Sequence, residues 1–466
     1  MHAWLALLAA LLTAAPSFAQ TISDPELSFT QVLTTGSLDQ PTSMAFVAPN
    51  DFLVLEKATG RVRRVLGGVL QPTIALDVAV NSASERGLLG IAVNGETPRK
   101  VFLYYTEAAT DGGTPLGNRV YQYTWNATTG LLGSPQLILD LPYTSGPNHD
   151  GGVLVMGNPG DGGSAGDGAF LYAVIGDLNR NGKLQNNQFG ADPDDTGVIF
   201  RVEQDGTPAA GNPFTPYCSG STTLACDDDA DCTFFGPCLL EVASYYGYGV
   251  RNSFGMTRDP VSGALWMTEN GPNNYDEVNR VPAGWNSGWN QLMGPDARDP
   301  QGVGNLWNVP DSGLTYKDPE FSWLTTIAPT GIVLPFGSSL GAEYDGQALV
   351  GDANLGQLYA FPLNGGRTAF DLTGFTGVTD LVADDADERN QFRIGSGFGA
   401  ITDLEVGPDK HLYVVSLGLG TVYRIQGPGP APAPVPALPA AGIATLGLLL
   451  GGAALIALGR RAAAAR

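Results

Sequence analysis

The stretch Tyr245–Asn290 reads YYGYGVRNSFGMTRDPVSGALWMTENGPNNYDEVNRVPAGWNSGWN. A polar pair, Arg251-Asn252, precedes a short apolar run, Ala264–Met267. The turn Glu269-Asn270-Gly271-Pro272-Asn273-Asn274-Tyr275-Asp276-Glu277 follows, and Glu277–Val281 carries the chain back. Two short runs joined by a Gly- and Pro-containing turn read as a pair of antiparallel strands. The turn holds three carboxylates, and its kinks aim backbone carbonyls inward. Mixed carboxylate and carbonyl oxygens are the ligands that hard cations such as calcium select. A plain solvated β-turn has the same composition, so one such unit decides nothing alone.

Its recurrence decides more. The same strand–loop–strand unit appears as Phe52–Glu56 with Gly60–Val65, Val101–Thr106 with Arg119–Trp125, and Phe170–Asp177 with Gly197–Val202. It continues as Leu265–Glu269 with Glu277–Val281, Ala348–Asp352 with Gln357–Phe361, and Leu412–Ser416 with Thr421–Ile425. Alternating apolar and polar residues within the runs argue for strands over helices. Repeated antiparallel units of this size predict an all-β, six-bladed β-propeller with four-stranded antiparallel blades. Seven blades or a pair of β-sandwiches also fit the spacing. In a propeller, loops at one end converge on the axis. The strand ends Asp177, Glu269, Asp352 and Ser416 then share a face, and the motifs beside them share a site.

Composition agrees. Of 466 residues only 15% are charged, while Gly (63) and Pro (33) are abundant, as in a turn-rich β protein. The net charge is −22. Residues 1–19 contain none of the four charged types and the three arginines after Gly427 meet no acid, so residues 20–427 carry −25. Such a surface repels phosphate backbones and argues against nucleic acid as a partner. Residues 1–19 (MHAWLALLAALLTAAPSFA) have the apolar core and small-residue end of a signal peptide. The propeller is expected over residues 24–427. Residues 428–439 form a stiff Pro-rich linker. Residues 440–459 are twenty apolar or small residues, enough to span a bilayer as a helix, and 460–466 form a basic tail. This end resembles the sorting tails of bacterial surface proteins. Export to the periplasm or cell surface, with membrane anchoring through the C-terminal helix, is the expectation.

Cys218, Cys226, Cys232 and Cys238 crowd a short insertion, residues 217–239. In an exported chain an even, local set predicts two disulfides, in one of three pairings; a four-thiolate zinc site is the competing reading. Asp227, Asp229 and Asp231 between them suit either a weak calcium loop or solvent. Of three histidines, only His149 lies in a rigid, Gly-flanked turn (Gly146-Pro147-Asn148-His149-Asp150-Gly151-Gly152), and its chemistry suits proton abstraction. A structural histidine satisfying loop carbonyls is the alternative. No nucleophile elbow, phosphate loop or dinucleotide fingerprint is present, which disfavours hydrolase, nucleotide and NAD chemistry.

Over most of residues 40–427 the ordered motifs resemble the pyrroloquinoline quinone (PQQ) dependent soluble aldose dehydrogenases, the glucose/sorbosone dehydrogenase family. They are Pro41-Thr42-Ser43-Met44-Ala45-Phe46, Glu85-Arg86-Gly87-Leu88-Leu89-Gly90-Ile91, Tyr104-Tyr105-Thr106, Asn148-His149-Asp150-Gly151-Gly152 and Ile175-Gly176-Asp177. Gly211-Asn212-Pro213-Phe214, Gly249-Val250-Arg251-Asn252, Glu269-Asn270-Gly271-Pro272, Asp276-Glu277, Asn286-Ser287-Gly288-Trp289 and Gly407-Pro408-Asp409 complete the series. The family fold is a six-bladed propeller. The resemblance implies a small-molecule sugar or alcohol substrate, with His149 as general base and hydride passing to the quinone. Arg251 would lie beside the quinone and substrate oxygens, with Asn252 next to it. The carbonyls of Gly271 and Pro272 would hold a calcium ion, and Glu277 with the Ser287 carbonyl matches a second, structural calcium position. Asp177, at its strand end, is the candidate to orient His149.

The departures concern charge. Val250 and Asn270 stand where the family carries histidines. The basic residues that grip the three PQQ carboxylates are replaced by Asn354 and by Ala400-Ile401-Thr402-Asp403, and Arg393 is the nearest substitute. Two or three missing charge-assisted contacts, each worth roughly 1.5–3 kcal/mol, would weaken cofactor binding by orders of magnitude. Two hypotheses therefore stand: a PQQ- and calcium-dependent oxidoreductase, and a calcium-binding surface propeller that binds sugar or protein without PQQ. A hydrolytic lactonase on the same scaffold is disfavoured, because its ligands are usually side-chain carboxylates and amides. No motif identifies an electron acceptor.

Overall fold

The run Asp51–Glu56 is apolar on both faces, and every residue in it is buried. Leu53 and Leu55 pack toward Val101, Leu103 and Tyr105, whereas Phe52 and Val54 pack toward Tyr413 and Val415. A strand whose two faces meet two different neighbours must be sandwiched between sheets, and each large side chain so buried contributes roughly 1.5–3 kcal/mol. Leu171–Ile175, Leu265–Glu269 and Leu412–Ser416 are likewise buried throughout. The expected polar–apolar alternation therefore fails in these middle strands. In Arg61–Leu66, the strand after Asp51–Glu56, only Val62 and Val65 are buried, so it does not alternate strictly either.

The computed structural model describes residues 19–157, 170–221, 223–298, 302–310 and 315–428. Within them the chain forms six antiparallel blades around an axis. Blade 1 is Pro41–Ala48, Asp51–Glu56, Arg61–Leu66 and Val69–Asp77. Blade 2 is Leu88–Val93, Lys100–Ala108, Pro115–Asn126 and Leu131–Leu141. Blade 3 is Leu154–Met156, Leu171–Ile175, Val198–Val202 and Tyr245–Tyr248. Blade 4 is Gly255–Arg258, Leu265–Glu269, Asn274–Val281 and Phe321–Thr325. Blade 5 is Pro329–Val333, Gln347–Asp352, Leu358–Pro362 and Arg393–Ser396. Blade 6 takes Ile401–Val406, Leu412–Ser416 and Thr421–Gln426 from the end of the propeller and Ser28–Gln31 from its start. That last pairing, Ser28↔Gln426 through Gln31↔Tyr423, closes the ring. Thr21–Ile22 pairs with Gly395–Ser396 and ties the N-terminal segment to blade 5.

The strand pairs read from the sequence are the second and third strands of each blade. The first strands line the axis. The second strands of all six end at one face of the propeller, which carries the site.

The four cysteines form disulfides Cys218–Cys232 and Cys226–Cys238. All four thiols are consumed, which removes the zinc reading. Residues 1–18 of the expected signal peptide, and the expected linker, helix and tail beyond residue 428, lie outside the described residues. Among the described residues no helix is long and apolar enough to cross a membrane.

Candidate active site

Four loops meet at the strand-end face. The first carries His149, which adopts φ 63° and is 8% exposed. Its backbone N–H donates to Glu85 Oε2 at 2.6 Å, and the Asn252 amide donates to the same oxygen at 2.9 Å. The next residue, Asp150, is buried and accepts from Asn118 Nδ2 (2.9 Å) and Arg86 Nε (3.4 Å), while Tyr104 Oη donates to its carbonyl. Burial pushes the Asp150 carboxyl above its ordinary value, with Asn118 and Arg86 opposing. The loop is thus pinned on both sides of the imidazole.

The second loop, after Leu171–Ile175, brings Gly176-Asp177. A Cβ on Gly176 would meet the His149 carbonyl at 2.4 Å and the Arg251 carbonyl at 2.6 Å, so only glycine lets the three loops close. Asp177 is buried and accepts three hydrogens. His149 Nδ1–H and the Asn179 N–H reach Oδ1 at 2.6 and 2.7 Å, and Trp289 Nε1–H reaches Oδ2 at 2.6 Å. A carboxylate facing Nδ1 fixes the tautomer, so Nε2 carries the lone pair. Arg251 Nη2 donates to that Nε2 at 2.9 Å. Asp177, His149 and Arg251, far apart in sequence, form one continuous line.

The third loop holds Arg251. Its backbone N–H donates to Glu269 Oε1 (2.7 Å), and Nη1 donates to the carbonyls of Asn270 (2.7 Å) and Gly271 (3.0 Å). The guanidinium carbon lies 5.3 Å from the Trp289 ring centroid, a cation–π contact. Burial lowers its pKa, opposed by Asp177, Glu269 and Glu85.

The fourth is the acidic turn. Asp276 is consumed internally: Gly271 N–H donates to Oδ1, and the N–H groups of Ile327 and Ala328 donate to Oδ2. It holds the turn's shape. Glu269 and Glu277 differ. They are direct cross-strand partners, both buried. Glu269 accepts from Arg251 N and from Ser287 Oγ (2.6 Å), and Glu277 accepts from Gly294 N (2.6 Å) and Asn279 Nδ2 (2.8 Å). Among the described residues neither is in an ion pair. Burial raises Glu269 to about 7, and burial plus the Glu269 charge raises Glu277 well above the ordinary carboxyl value. Two such carboxylates side by side are a ligand set for a cation. The Ser287 hydroxyl donates to Glu269 Oε2, while the sequence expectation concerned the Ser287 carbonyl beside Glu277.

Between the inner strands lies an axial cavity of about 240 Å³, lined by Lys57, Glu85, Thr330, Ala353, Thr402 and Leu417 among others. Ala353 and Thr402 supply no charge there, and Arg393 lies on the fourth strand of blade 5, away from the axis, with its side chain exposed. It is therefore not a substitute for the missing basic residues. The sequence reading assigned no role to Glu85, Trp289 or Lys57. Extending the strand-end rule to the first blade, Phe52–Glu56, would have reached Lys57. Trp289 carries no local signal, since only the fold brings it to Asp177.

A family model described as Glucose / Sorbosone dehydrogenase matches residues 38–222 and 239–424, with its gap over the disulfide-bonded insertion. An uncharacterised protein of Synechocystis is 27% identical over 412 residues, covering 84% of this chain and 85% of that protein. The aldose sugar dehydrogenase of Escherichia coli is 24% identical over 396 residues, covering 81% and 87%. The PQQ-bound aldose sugar dehydrogenase of Streptomyces coelicolor superposes with a TM-score of 0.58 at 22% identity, covering 89% of this chain and 99% of that one. With the family model spanning most of the propeller and solved relatives sharing the ring, the chain belongs to the glucose/sorbosone dehydrogenase family.

Proposed function

We propose that this protein is a calcium-dependent quinoprotein that oxidises aldose sugars or related alcohols, with His149 as general base. The observation that carries the reading is the Asp177–His149–Arg251 line, in which Nδ1 is tied to a buried carboxylate and Nε2 is left basic. His149 Nε2 accepts the proton of the substrate hydroxyl. Asp177 stabilises the resulting imidazolium, and Trp289 and Asn179 keep that carboxylate in place. Arg251 offers its guanidinium to the oxygen on which negative charge develops.

The residues offer oxygen ligands for calcium and some contacts for PQQ, without the basic grip on its carboxylates at Asn354, Ala400 and Thr402. The carbonyls of Asn270 and Gly271 converge on one point, which Arg251 Nη1 takes, so the turn is built to hold positive charge. Gly271 and Pro272 would hold a calcium ion there, and Glu277, Glu269 and Ser287 would hold a second. For PQQ, the buried Asn252 Oδ1 has no hydrogen-bond partner, and Arg251 stands beside it as a cation outside any ion pair among the described residues. PQQ, when bound, supplies the two-electron acceptor for hydride. Two disulfides support an oxidising compartment, in keeping with a signal peptide at residues 1–19 and an anchored C-terminal helix.

One observation favours the non-catalytic surface propeller: Ala353 and Thr402, on the cavity wall, contribute no cation to grip carboxylates. Calorimetric titration of PQQ into the purified, calcium-loaded protein separates the two. Micromolar or tighter binding, with dye reduction by aldoses lost in His149→Ala, supports the oxidoreductase. A folded, calcium-loaded protein that takes up no PQQ sinks it and leaves the binding module.

A further inference from the structure

Lys57 follows the last residue of its strand, Asp51–Glu56, as Ala353 and Leu417 follow Asp352 and Ser416 in blades 5 and 6. All three line the axial cavity, and among its described lining residues Lys57 is the only basic one. Lys57 reaches the Arg251 region through one loop: its ammonium donates to Ser84 O, and the next residue, Glu85, accepts from the His149 N–H and the Asn252 amide.

The backbone fixes the residue in place. The Lys57 N–H donates to Gln40 O (3.1 Å), and the Leu88 N–H donates to Lys57 O (3.0 Å). A Cβ on Gly87 would meet Lys57 O at 2.5 Å and Lys57 Cγ at 2.7 Å, so the glycine leaves room for the lysine stem. The ammonium donates to Ser84 O at 2.7 Å and Ser82 O at 3.3 Å. An ammonium has three donors, and two are used on neutral carbonyls. Among the described residues no carboxylate forms an ion pair with it. Burial pulls its pKa below the ordinary lysine value, with the more distant Glu85 and Asp150 opposing. It is a partly desolvated cation whose charge is unmatched at contact distance, on the wall of a ligand-sized cavity.

We propose that Lys57 is the anion-gripping residue of this cavity, taking a carboxylate of the bound quinone from the blade 1 wall. The proposal rests on the quinoprotein reading. It also answers the charge deficit at Asn354, Ala400 and Thr402, because the missing cation is supplied from another blade.

The test is equilibrium binding of PQQ to the full chain with calcium present, for the wild type, Lys57→Met and Lys57→Arg, at low and high salt. The thermal midpoint of each variant verifies folding. Lys57→Met is expected to weaken PQQ binding by roughly ten- to a hundredfold and to reduce its salt dependence, and Lys57→Arg to restore both. Wild-type binding left unchanged by Lys57→Met overturns the proposal and leaves the quinoprotein reading standing. Weakened binding with wild-type salt dependence, not rescued by Lys57→Arg, also overturns it, because that pattern belongs to a packing role. Absence of PQQ binding in the wild type itself removes the quinoprotein reading and this proposal with it.

Discussion

Replacing Asp177 by Asn tests the proposed base without changing the shape of the site. The carboxylate accepts from His149 Nδ1 and Asn179 N on one oxygen and from Trp289 Nε1 on the other. An amide has one oxygen for these two sides. With oxygen toward His149, the NH2 group opposes the indole N–H. With oxygen toward Trp289, the NH2 group opposes the Asn179 N–H and forces the proton onto His149 Nε2, where Arg251 also donates. One arrangement loses a charge-assisted bond of roughly 1.5–3 kcal/mol, and the other removes the base. Both remove the negative charge facing the imidazolium formed on proton transfer. At about 4 Å and an effective dielectric near 20, that charge is worth about 4 kcal/mol, or about a thousandfold in kcat. The assay is dye-coupled aldose oxidation at saturating PQQ and calcium, with PQQ affinity measured in parallel. A thousandfold fall in kcat at unchanged PQQ affinity is expected. A variant within tenfold of the wild-type kcat refutes the assignment of His149 as an Asp177-oriented base.

Chelation of calcium is expected to lower the thermal midpoint, since an ion held at a hundred times its Kd adds about 2.7 kcal/mol. Glu277→Gln should shrink that calcium-dependent shift, and an unchanged shift places the ion elsewhere. Glu405, lining the opposite mouth of the axial channel, is pushed up to about 8 by burial, then by Asp403. Because the folded chain then holds its proton more tightly than the unfolded chain, stability should fall as pH rises from about 4.5 to 8. Glu405→Gln should flatten that fall in urea titrations at several pH values; an equally steep wild-type and variant slope contradicts the shift. Joint removal of the disulfides closing sequence separations of 14 and 12 should make residues 217–239 protease-sensitive while PQQ affinity stays at the wild-type level. Lost PQQ affinity would place the insertion at the cofactor.

The sequence carried the fold because a propeller repeats one supersecondary unit, and its second and third strands are written as local patterns. The first strands escaped notice where they are short, as in Leu154–Met156, and the closing strand Ser28–Gln31 pairs with a segment nearly four hundred residues away. The site was legible where one residue type and one local turn suffice, as with His149, Arg251 and Glu277. Asp177 was reached by topology, because equivalent strand ends must share a face. Trp289 and Glu85 were quoted in motifs without a role, since their partners come from other blades. Asp276 was grouped with Glu269 and Glu277 by proximity in sequence, yet its oxygens close the turn on Gly271, Ile327 and Ala328. That Glu269 and Glu277 stand side by side is set by their cross-strand register, a pairing composition cannot show.

Arg251 joins the parts of the site physically. One arm of its guanidinium holds the Asn270 and Gly271 carbonyls, the other holds His149 Nε2, and the plane rests on Trp289, which in turn anchors Asp177. A calcium ion at the proposed position on Gly271 O would compete with the first arm for that carbonyl. A substrate hydroxyl on Nε2 displaces the second, because a single lone pair accepts one donor well. Both would act on donors of the same rigid fork, so the proposed cation and substrate positions meet at one side chain. A lysine at this place would offer one nitrogen to two sites on opposite sides and would couple neither. The arginine at position 251 thus meets these contacts by the geometry of its fork. Charge alone would be satisfied by less.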